Sequence, residues 1–110
     1  MVAITPSNFA WLQQWYRDQC NLTWEHEYGI TIKTLDNPGW SVTIDLDGVL
    51  YNQDFITIDI KESGDDWLHC SIGLDAEWLK KGREVKQFVG AGSLNQLERI
   101  IEVFRDKIIR

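Results

Sequence analysis

The segment from Trp24 to Leu46 contains two runs in which apolar and polar residues alternate. The apolar members of the two runs are Tyr28, Ile30 and Ile32, then Trp40, Val42, Ile44 and Leu46. A period of two places each apolar set on one face of a β-strand. Between the runs lies Asp36-Asn37-Pro38-Gly39, in which proline followed by glycine favours a type II turn. The segment therefore predicts a β-hairpin.

Helical periodicity occurs on both sides of this hairpin. Residues 7–21 predict a helix that Ser7 or Thr5 can cap, because a side-chain oxygen accepts a free backbone N–H of the first turn. Its two apolar stripes are Phe9, Leu12, Tyr16 and Cys20, and beside them Trp11 and Trp15. A second helix is expected after its predicted N-cap, Ser93. Its apolar residues recur at steps of three and four: Leu94, Leu97, Ile101, Phe104 and Ile108.

Further alternating runs lie between the hairpin and the last helix. Residues 55–62 predict a strand with Ile56, Ile58 and Ile60 on one face. Residues 67–72 predict another with Leu68, Cys70 and Ile72 inward, so that Trp67 and His69 point the opposite way. Residues 84–89 predict a last strand, and Gly90-Ala91-Gly92-Ser93 predicts a tight link to the helix. Residues 49–54 stay open between a loop and an edge segment, and residues 73–83 between a helical turn and a long hairpin loop.

The predicted order of elements is helix, four or five strands, helix. Strands joined in sequence by short turns form an antiparallel meander. Both helices carry an apolar stripe and the sheet has an apolar face, so we expect an α+β two-layer sandwich with both helices packed on one sheet face. A chain of 110 residues is enough for one core. We therefore assign residues 1–110 to a single domain.

The chain is acidic, with a net charge of −6. Nucleic acids and anionic membranes repel an acidic surface, so we expect neither as a direct partner. Lys61 is the only basic residue in an interval with many acids: Asp45, Asp47, Asp54, Asp59, Glu62, Asp65 and Asp66. These acids form either a solvated surface or a docking surface for a basic protein, where complementary charge accelerates encounter. Charge alone leaves both readings open.

The two cysteines and the first residues of the chain indicate where in the cell we expect the protein. Cys20 and Cys70 give no disulfide framework, and we expect both to be small buried hydrophobic residues. Residues 1–6 contain neither a positively charged region nor a long apolar run. We therefore expect no signal peptide, no transmembrane span and a cytoplasmic protein.

Two features raise the question of a cofactor or of catalysis. The first is His26, which with Glu25 or Glu27 resembles an acid–base pair. The same histidine could also form a metal site with Cys20, or with His69 and Cys70. Zinc requires three or four ligands at recognisable spacing, and the sequence contains neither CxxC nor HxxxH. No nucleophile or orienting third group is evident either. The Gly90-Ala91-Gly92 run lacks the Lys-Ser/Thr of a phosphate-binding P-loop. We therefore predict no metal, no cofactor and no enzymatic activity.

A series of short motifs runs through nearly the whole chain. They are Trp11-Leu12-Gln13, Trp15-Tyr16, Gln19-Cys20, Trp24-Glu25-His26, Tyr28-Gly29-Ile30, Thr34-Leu35-Asp36-Asn37-Pro38-Gly39-Trp40, Ile44-Asp45-Leu46, Asp66-Trp67 with Cys70, and Gly90-Ala91-Gly92. Together they resemble the immunity protein 53 family. The resemblance implies a cytoplasmic protein of a bacterial polymorphic toxin system that binds a cognate toxin domain and inhibits it stoichiometrically.

The resemblance and the charge together indicate partner-binding residues. They are Glu25, His26, Tyr28, Asp36, Asn37, Trp40, Asp45, Asp66 and Trp67. For the aromatic residues, the alternative is that they pack in the core. For Asn37, the alternative is that the hairpin turn requires this residue type. The segment 73–86 is longer than expected for the family's last hairpin, and Ser93-Leu94 stands where Gly-Pro is expected.

Two other function classes stay open from the sequence. One is a small ligand- or metal-binding domain or enzyme with a site near His26. The other is a homo-oligomeric module that pairs through an exposed sheet edge, so the oligomeric state is either monomer or homodimer.

Overall fold

The computed structural model describes residues 7–61 and 65–109. Thr5, Glu62 and the start of the chain at residues 1–6 lie outside the described residues. The elements in chain order are α1 (Asn8–Gln19), α2 (Trp24–Glu27), β1 (Ile30–Leu35), β2 (Gly39–Asp45), β3 (Ile58–Lys61), β4 (Trp67–Leu74), α3 (Ala76–Lys80), β5 (Lys86–Gly92) and α4 (Leu97–Val103), which continues as a π-helical segment (Phe104–Ile108).

The five strands form one antiparallel sheet in the order β1-β2-β5-β4-β3. The α+β class is confirmed, but the strand order differs from a simple meander because β5 lies between β2 and β4. A single short loop connects β1 and β2 into a hairpin. The connection of residues 46–57 is too long to impose local pairing, and it passes the end of the last helix. There, the backbone N–H of Asn52 donates to the carbonyl of Ile108 at 2.7 Å.

Both terminal helices pack on one face of the sheet, as predicted. The inward residues of the strands are fully or almost fully buried, among them Val42, Ile44, Leu68, Cys70 and Phe88. Phe104 joins the layers, because its ring centroid lies 5.2 Å from that of Phe88 on β5 and 5.0 Å from that of Trp15 on α1. Trp67 and His69 lie on the other face and are half-buried, which confirms the alternation predicted for β4.

The glycine run at residues 90–92 does not form the predicted link. Gly90 and Gly92 belong to the central strand β5, directly beneath the last helix. A Cβ atom on Gly90 would collide with Cγ2 of Ile100, and one on Gly92 would lie 2.6 Å from Cβ of Gln96. The prediction was wrong because these glycines serve helix-on-sheet contact and not a turn.

The start of the last helix also differs from the prediction. α4 begins at Leu97 with Gln96 as its cap residue, so Ser93 is not the N-cap. Leu94 precedes the helix and is 62% exposed. The buried apolar stripe is otherwise as predicted, with Ile100 added to Ile101, Phe104 and Ile108.

The hairpin turn between β1 and β2 is a three-residue loop, and the predicted type II turn is wrong. Among the described residues, the glycines with positive φ are Gly48 and Gly82, whereas Gly39 already belongs to β2. A Cβ atom on Gly39 would collide with the carbonyl oxygen of Gly92. Glycine is therefore required at position 39 by close packing and not by backbone conformation.

Several local predictions have mixed outcomes. Ser7 caps α1, since its hydroxyl accepts from the N–H of Ala10 at 3.1 Å. Cys70 is buried as expected, but Cys20 is exposed at the end of α1.

The bounds of the elements between the hairpin and β5 also differ in part from the prediction. Ile56 lies outside β3 and is 82% exposed. Residues 73–83 adopt the helical-turn alternative as α3, and residues 49–54 form a loop with one bridge, from Tyr51 to Ile109.

Candidate functional site

The predicted partner-binding residues divide between two ends of the sheet. Because β1 and β2 are antiparallel, the loop at residues 36–38 lies at one end, the turn end, and Asp45 lies at the other, about 20 Å away at the rise per residue of a strand. The turn end holds Asp36, Asn37, Trp40, Asp66 and Trp67. The opposite end holds Glu25, His26, Tyr28 and Asp45. The acids between Asp45 and Asp66 therefore do not form one continuous docking surface.

A cleft of about 740 Å³ opens at the turn end. It brings together Asn37, Asp66 and Trp67, which are far apart in the chain. Its lining residues are Asn37, Pro38, Lys61, Asp65, Asp66, Trp67, Ser93, Leu94 and Asn95. Asp36 is exposed on the same loop as Asn37. An aromatic ring among amides and charged groups is a composition typical of protein-binding surfaces.

Asp66 fixes one wall of this cleft. Its carboxylate accepts a short hydrogen bond from the hydroxyl of Ser93 and another from Nε2 of Gln96 at 2.8 Å. The hydroxyl of Ser93 in turn accepts from the backbone N–H of Trp67 at 3.1 Å. Both Ser93 and Gln96 are buried. These bonds hold the start of β4 against the connection that leads to α4.

Trp40 has a structural role next to the cleft. Its side chain is half-buried and packs against the core, and its indole Nε1–H donates to the carbonyl of Leu94 at 3.0 Å. The indole therefore positions the connection before α4. Of the aromatic residues predicted at the turn end, Trp67 is the one that lines the cleft.

The opposite end of the sheet is an aromatic and acidic cluster, which we name the acidic end. Its acids are Glu27, Asp45, Asp47 and Asp75, and its rings are Trp24, Tyr28 and Trp78. Tyr28 is 8% exposed, with its ring centroid 5.9 Å from that of Trp24 and 5.7 Å from that of Trp78. Burial first, and then the carboxylate of Asp47, raise the pKa of Tyr28 to about 12.

One arginine ties this cluster together. The guanidinium of Arg83 lies 3.2 Å from the carboxylate of Asp47 and 3.7 Å from that of Glu27. The same group sits over the rings of Tyr28 and Trp78, at 5.5 Å and 5.1 Å from their centroids. The acidic end therefore already binds one guanidinium through carboxylates and aromatic faces.

Asp45 and Asp75 form a carboxyl pair at the acidic end. The side chain of Asp45 accepts from the N–H of Gly29 at 3.1 Å, and the carboxyl group of Asp75 acts on it electrostatically. Burial first, and then the carboxyl group of Asp75, raise the pKa of Asp45 to about 6, while the hydrogen bond from Gly29 acts in the opposite direction. Asp75 also caps α3, with backbone N–H groups of Glu77 and Trp78 as donors.

Sequence reasoning missed Asp75, Trp78 and Arg83. All three come from residues 73–86, where the pattern left the secondary structure open. The one available signal was an aspartate just before a short apolar helical turn, which is typical of an N-cap.

Glu25 and His26 do not form a site with the pair. The carboxylate of Glu25 accepts from the backbone N–H groups of Asn21 at 2.9 Å and Leu22 at 2.8 Å. It thereby holds a loop in which Leu22 has a φ of 72°. His26 is exposed. Glu25 therefore has a structural role, and His26 stays available at the surface.

Among the described residues, those near His26 do not belong to a group that could hold a metal ion. His69 lies on β4, with Nδ1 3.8 Å from a carboxylate oxygen of Asp59 on β3. Cys70 is buried in the sheet, and Cys20 is exposed at the end of α1. Within residues 7–61 and 65–109, no three or more His, Cys, Asp or Glu side chains are arranged to hold a metal ion.

The raised pKa of Asp45 predicts that the protein loses stability as the pH rises. A carboxyl group with a higher pKa in the folded chain favours folding most below its unfolded pKa of about 4, and the contribution disappears as the pH passes through about 6. Because solvent screens a half-buried group, we expect a loss of about 1 kcal/mol in the free energy of unfolding between about pH 4 and pH 7. Urea denaturation at both pH values measures it.

Asp45→Asn is the matched variant for this measurement. The asparagine can still accept from Gly29 and donate to Asp75, but it does not titrate. We expect its stability to equal that of the wild type near the lower pH and to exceed it by about 1 kcal/mol near the higher one. A difference between the two proteins that is the same at both pH values would contradict the assignment.

The comparisons with known proteins concern nearly the whole chain. Among the described residues, no helix has the length and apolar character needed to cross a membrane. A search of curated proteins and a search of solved structures found no match. The family model described as immunity protein 53 matches residues 9–108. The chain therefore belongs to the immunity protein 53 family.

Proposed function

We propose that this protein binds a cognate bacterial polymorphic toxin domain in the cytoplasm and neutralises it by stoichiometric inhibition. The observation that carries the proposal is the match of the immunity protein 53 model to residues 9–108. An inhibitor of this kind acts by occupying its target, so it needs a binding surface and no catalytic group. Both ends of the sheet supply such a surface.

The net charge of −6 supports a basic toxin domain, such as a nuclease, as the partner. Complementary charge steers association and sets the orientation of the complex. The turn end presents Asp36, Asn37 and Trp67 for contact. The opposite end presents His26 and Asp45, and the partly exposed guanidinium of Arg83 lies beside Glu27 at the same end.

Co-expression with the toxin domain encoded beside this protein's gene tests the proposal. We expect the protein to restore growth of cells that express the toxin and to co-purify with it in a ratio of one to one. Because oppositely charged surfaces are screened by salt, the affinity is expected to fall at least about tenfold between low and high salt. Isothermal titration calorimetry at the two salt concentrations measures this change.

A toxin domain from an unrelated system is the control, and it should be neither bound nor neutralised. A complex insensitive to salt would keep the inhibitory role and place the contact on the aromatic residues. Failure of this protein both to bind the neighbouring toxin domain and to restore growth would refute the proposed function.

A further inference from the structure

Strand β1 forms an edge of the sheet that lies open to solvent. It pairs with β2 on one side, and among the described residues no strand pairs with its other side. Four of its six residues, those at positions 31–34, are exposed. The other edge strand, β3, has only four residues, of which Asp59 and Lys61 are exposed. An unpaired edge offers a row of backbone donors and acceptors to another strand, and β1 is the longer of the two edges.

The register of β1 against β2 determines which backbone groups of β1 point to the open side. The N–H of Asp45 donates to the carbonyl of Gly29 at 3.1 Å, which continues the register of the two strands by one pair. Hydrogen-bonded pairs alternate with non-hydrogen-bonded pairs along an antiparallel ladder. Ile30, Ile32 and Thr34 therefore direct their N–H and C=O groups away from β2, to the open side of the strand.

The same edge also exposes apolar surface on the face that carries the helices. Ile32 lies opposite the fully buried Val42 of β2, yet it is 38% exposed. A groove of about 440 Å³ separates α1 from the start of β1, and its lining includes Phe9, Tyr16 and Ile30. The rings of Phe9 and Tyr16 are 43% and 38% exposed. The helices therefore leave β1 uncovered, and contiguous exposed apolar side chains are typical of a protein interface.

We propose that two copies of this protein form a symmetric dimer in which their β1 strands pair antiparallel, with a two-fold axis at Ile32. This inference is independent of the proposed function. Ile32 pairs with Ile32 of the second copy, and Ile30 and Thr34 each pair with the other residue of the second copy. Each of these pairs exchanges two backbone hydrogen bonds, so every outward-facing residue of β1 is satisfied. The two five-stranded sheets then form one continuous sheet.

The charge on β1 favours this register. With the axis at Ile32, Lys33 lies opposite the neutral Thr31 of the second copy. An axis at Lys33 would place the two lysines directly opposite each other, and like charges in that position destabilise a sheet. An axis at Thr31 would leave the backbone groups of Thr34 without a partner. The register centred on Ile32 is therefore the one that satisfies the backbone and separates the lysines.

The charge also favours a second copy over a basic toxin domain as the occupant of this edge. Lys33 is the one charged residue of β1, and the strand contains no carboxylate. A basic partner would therefore meet positive charge on this strand, because the acids that attract it lie at the two ends of the sheet. A second copy meets only neutral side chains opposite its lysine.

Pairing covers the exposed apolar side chains together with the backbone groups. The side chains of the two Ile32 residues meet at the axis, on the face that carries the helices. Thr34 of the second copy comes to lie beside Ile30, which lines the groove next to α1. The dimer thereby removes from water an apolar surface that one copy leaves exposed, and this burial favours association.

Sedimentation velocity of the purified wild-type protein tests the dimer directly. Across about a hundredfold range of protein concentration at micromolar levels, we expect a shift from monomer to dimer, because self-association follows mass action. Pairing about a two-fold axis uses the open side of β1 in both copies, so no species larger than a dimer should form. A protein that stays monomeric at every concentration overturns the proposal, and so does assembly into larger species.

Two substitutions of the exposed Thr31 test the pairing through charge. In Thr31→Glu, the new carboxylate lies opposite Lys33 of the second copy, and the symmetry repeats this contact. In Thr31→Lys, the new ammonium faces the same lysine. We expect the dissociation constants of the two variants to differ by at least about tenfold, with Thr31→Glu as the tighter dimer.

Thr57→Glu and Thr57→Lys are the matched controls. They make the same changes in net charge at an exposed threonine beside β3, at the opposite edge of the sheet. Their dissociation constants should agree within about twofold, because exposed charges far from an interface contribute little. A separation at Thr57 as large as that at Thr31 would indicate a general charge effect or pairing through β3, and it would refute pairing through β1.

Disulfide cross-linking tests the position of the two-fold axis. The exposed Cys20 is first replaced by serine, so that it does not react. The Cα atoms of a hydrogen-bonded antiparallel pair lie about 5.5 Å apart, a separation that a disulfide spans. On mild oxidation we therefore expect Ile32→Cys to form a covalent dimer. Lys33→Cys should stay largely unlinked, because residue 33 lies opposite residue 31 of the second copy. Any other pattern of linking in these two variants would refute the axis at Ile32.

Discussion

Replacing Phe104 by alanine is expected to lower the free energy of unfolding by about 3–5 kcal/mol, the cost of truncating a buried phenylalanine. Phe104 is fully buried where the two layers meet. Its ring contacts Phe88 on the sheet and, edge-on, both Trp11 and Trp15 on α1, at centroid distances of 5.2, 6.0 and 5.0 Å. The truncation removes these ring contacts and leaves a cavity that several rigid side chains line. Urea denaturation followed by tryptophan fluorescence measures the loss.

Glu102→Ala is the matched control, because it truncates an exposed side chain of the same helix. We expect its effect to stay within about 0.5 kcal/mol, as for most surface substitutions. A loss below about 1 kcal/mol for Phe104→Ala would show that the helices are not held to the sheet through this ring.

Replacing Gly90 by alanine is expected to lower the free energy of unfolding by about 1–3 kcal/mol, although it adds a single methyl group. The new Cβ atom would overlap Cγ2 of Ile100 and lie 3.1 Å from the ring of Phe88. Ile100 and Phe88 are both fully buried, so neither can move away into solvent. α4 must then lift from the central strand. Urea denaturation measures the loss, and near-ultraviolet circular dichroism reports the repacking.

Gly73→Ala provides a control on a neighbouring strand. Gly73 lies in β4, and a Cβ atom there meets nothing within 4 Å. This variant should be neutral or slightly more stable, since alanine restricts the unfolded chain more than glycine does. Ile100→Ala removes the colliding Cγ2 atom, so adding it to Gly90→Ala should cost less than the sum of the two single losses. Strict additivity would contradict the proposed collision.

Local periodicity was sufficient where each element depends on its own residues. The helix α1 and its cap at Ser7 were readable because capping and amphipathic spacing act within a few residues. The alternation in β2 and β4 was readable for the same reason, and it correctly separated Leu68 and Cys70 from Trp67 and His69. Short turns also predicted the pairing of β1 with β2 and of β3 with β4.

The same local reasoning failed where glycine serves distant packing. Gly39, Gly90 and Gly92 were interpreted as turn residues, because glycine in a sequence most often indicates backbone freedom. In the fold they lie in β2 and β5, where a second strand or a helix leaves no room for a Cβ atom. Nothing in the neighbouring residues reveals a helix that arrives from farther along the chain.

The predictions for the candidate site also succeeded where motifs were sufficient and failed where a residue's role depends on distant contacts. The motifs predicted Asn37, Asp66 and Trp67, and the fold places them in one cleft. The motifs also predicted Glu25 and Trp40, but their polar atoms are used to hold a loop and a connection. Asp75 and Arg83 were missed because their significance depends on Asp45 and Asp47, which are far from them in sequence.

The sequence by itself determined the family, the α+β class and most helices and strands, since these follow from motifs and from periodicities that act over a few residues. Only the tertiary structure decided that β5 occupies the centre of the sheet and that the predicted site residues separate into two ends. Strand order depends on which apolar surfaces can be buried together, and glycine on β5 allows α4 to cover it closely. The raised pKa of Asp45 has the same origin, because only the folded chain partly buries this carboxyl group and brings the charge of Asp75 close to it.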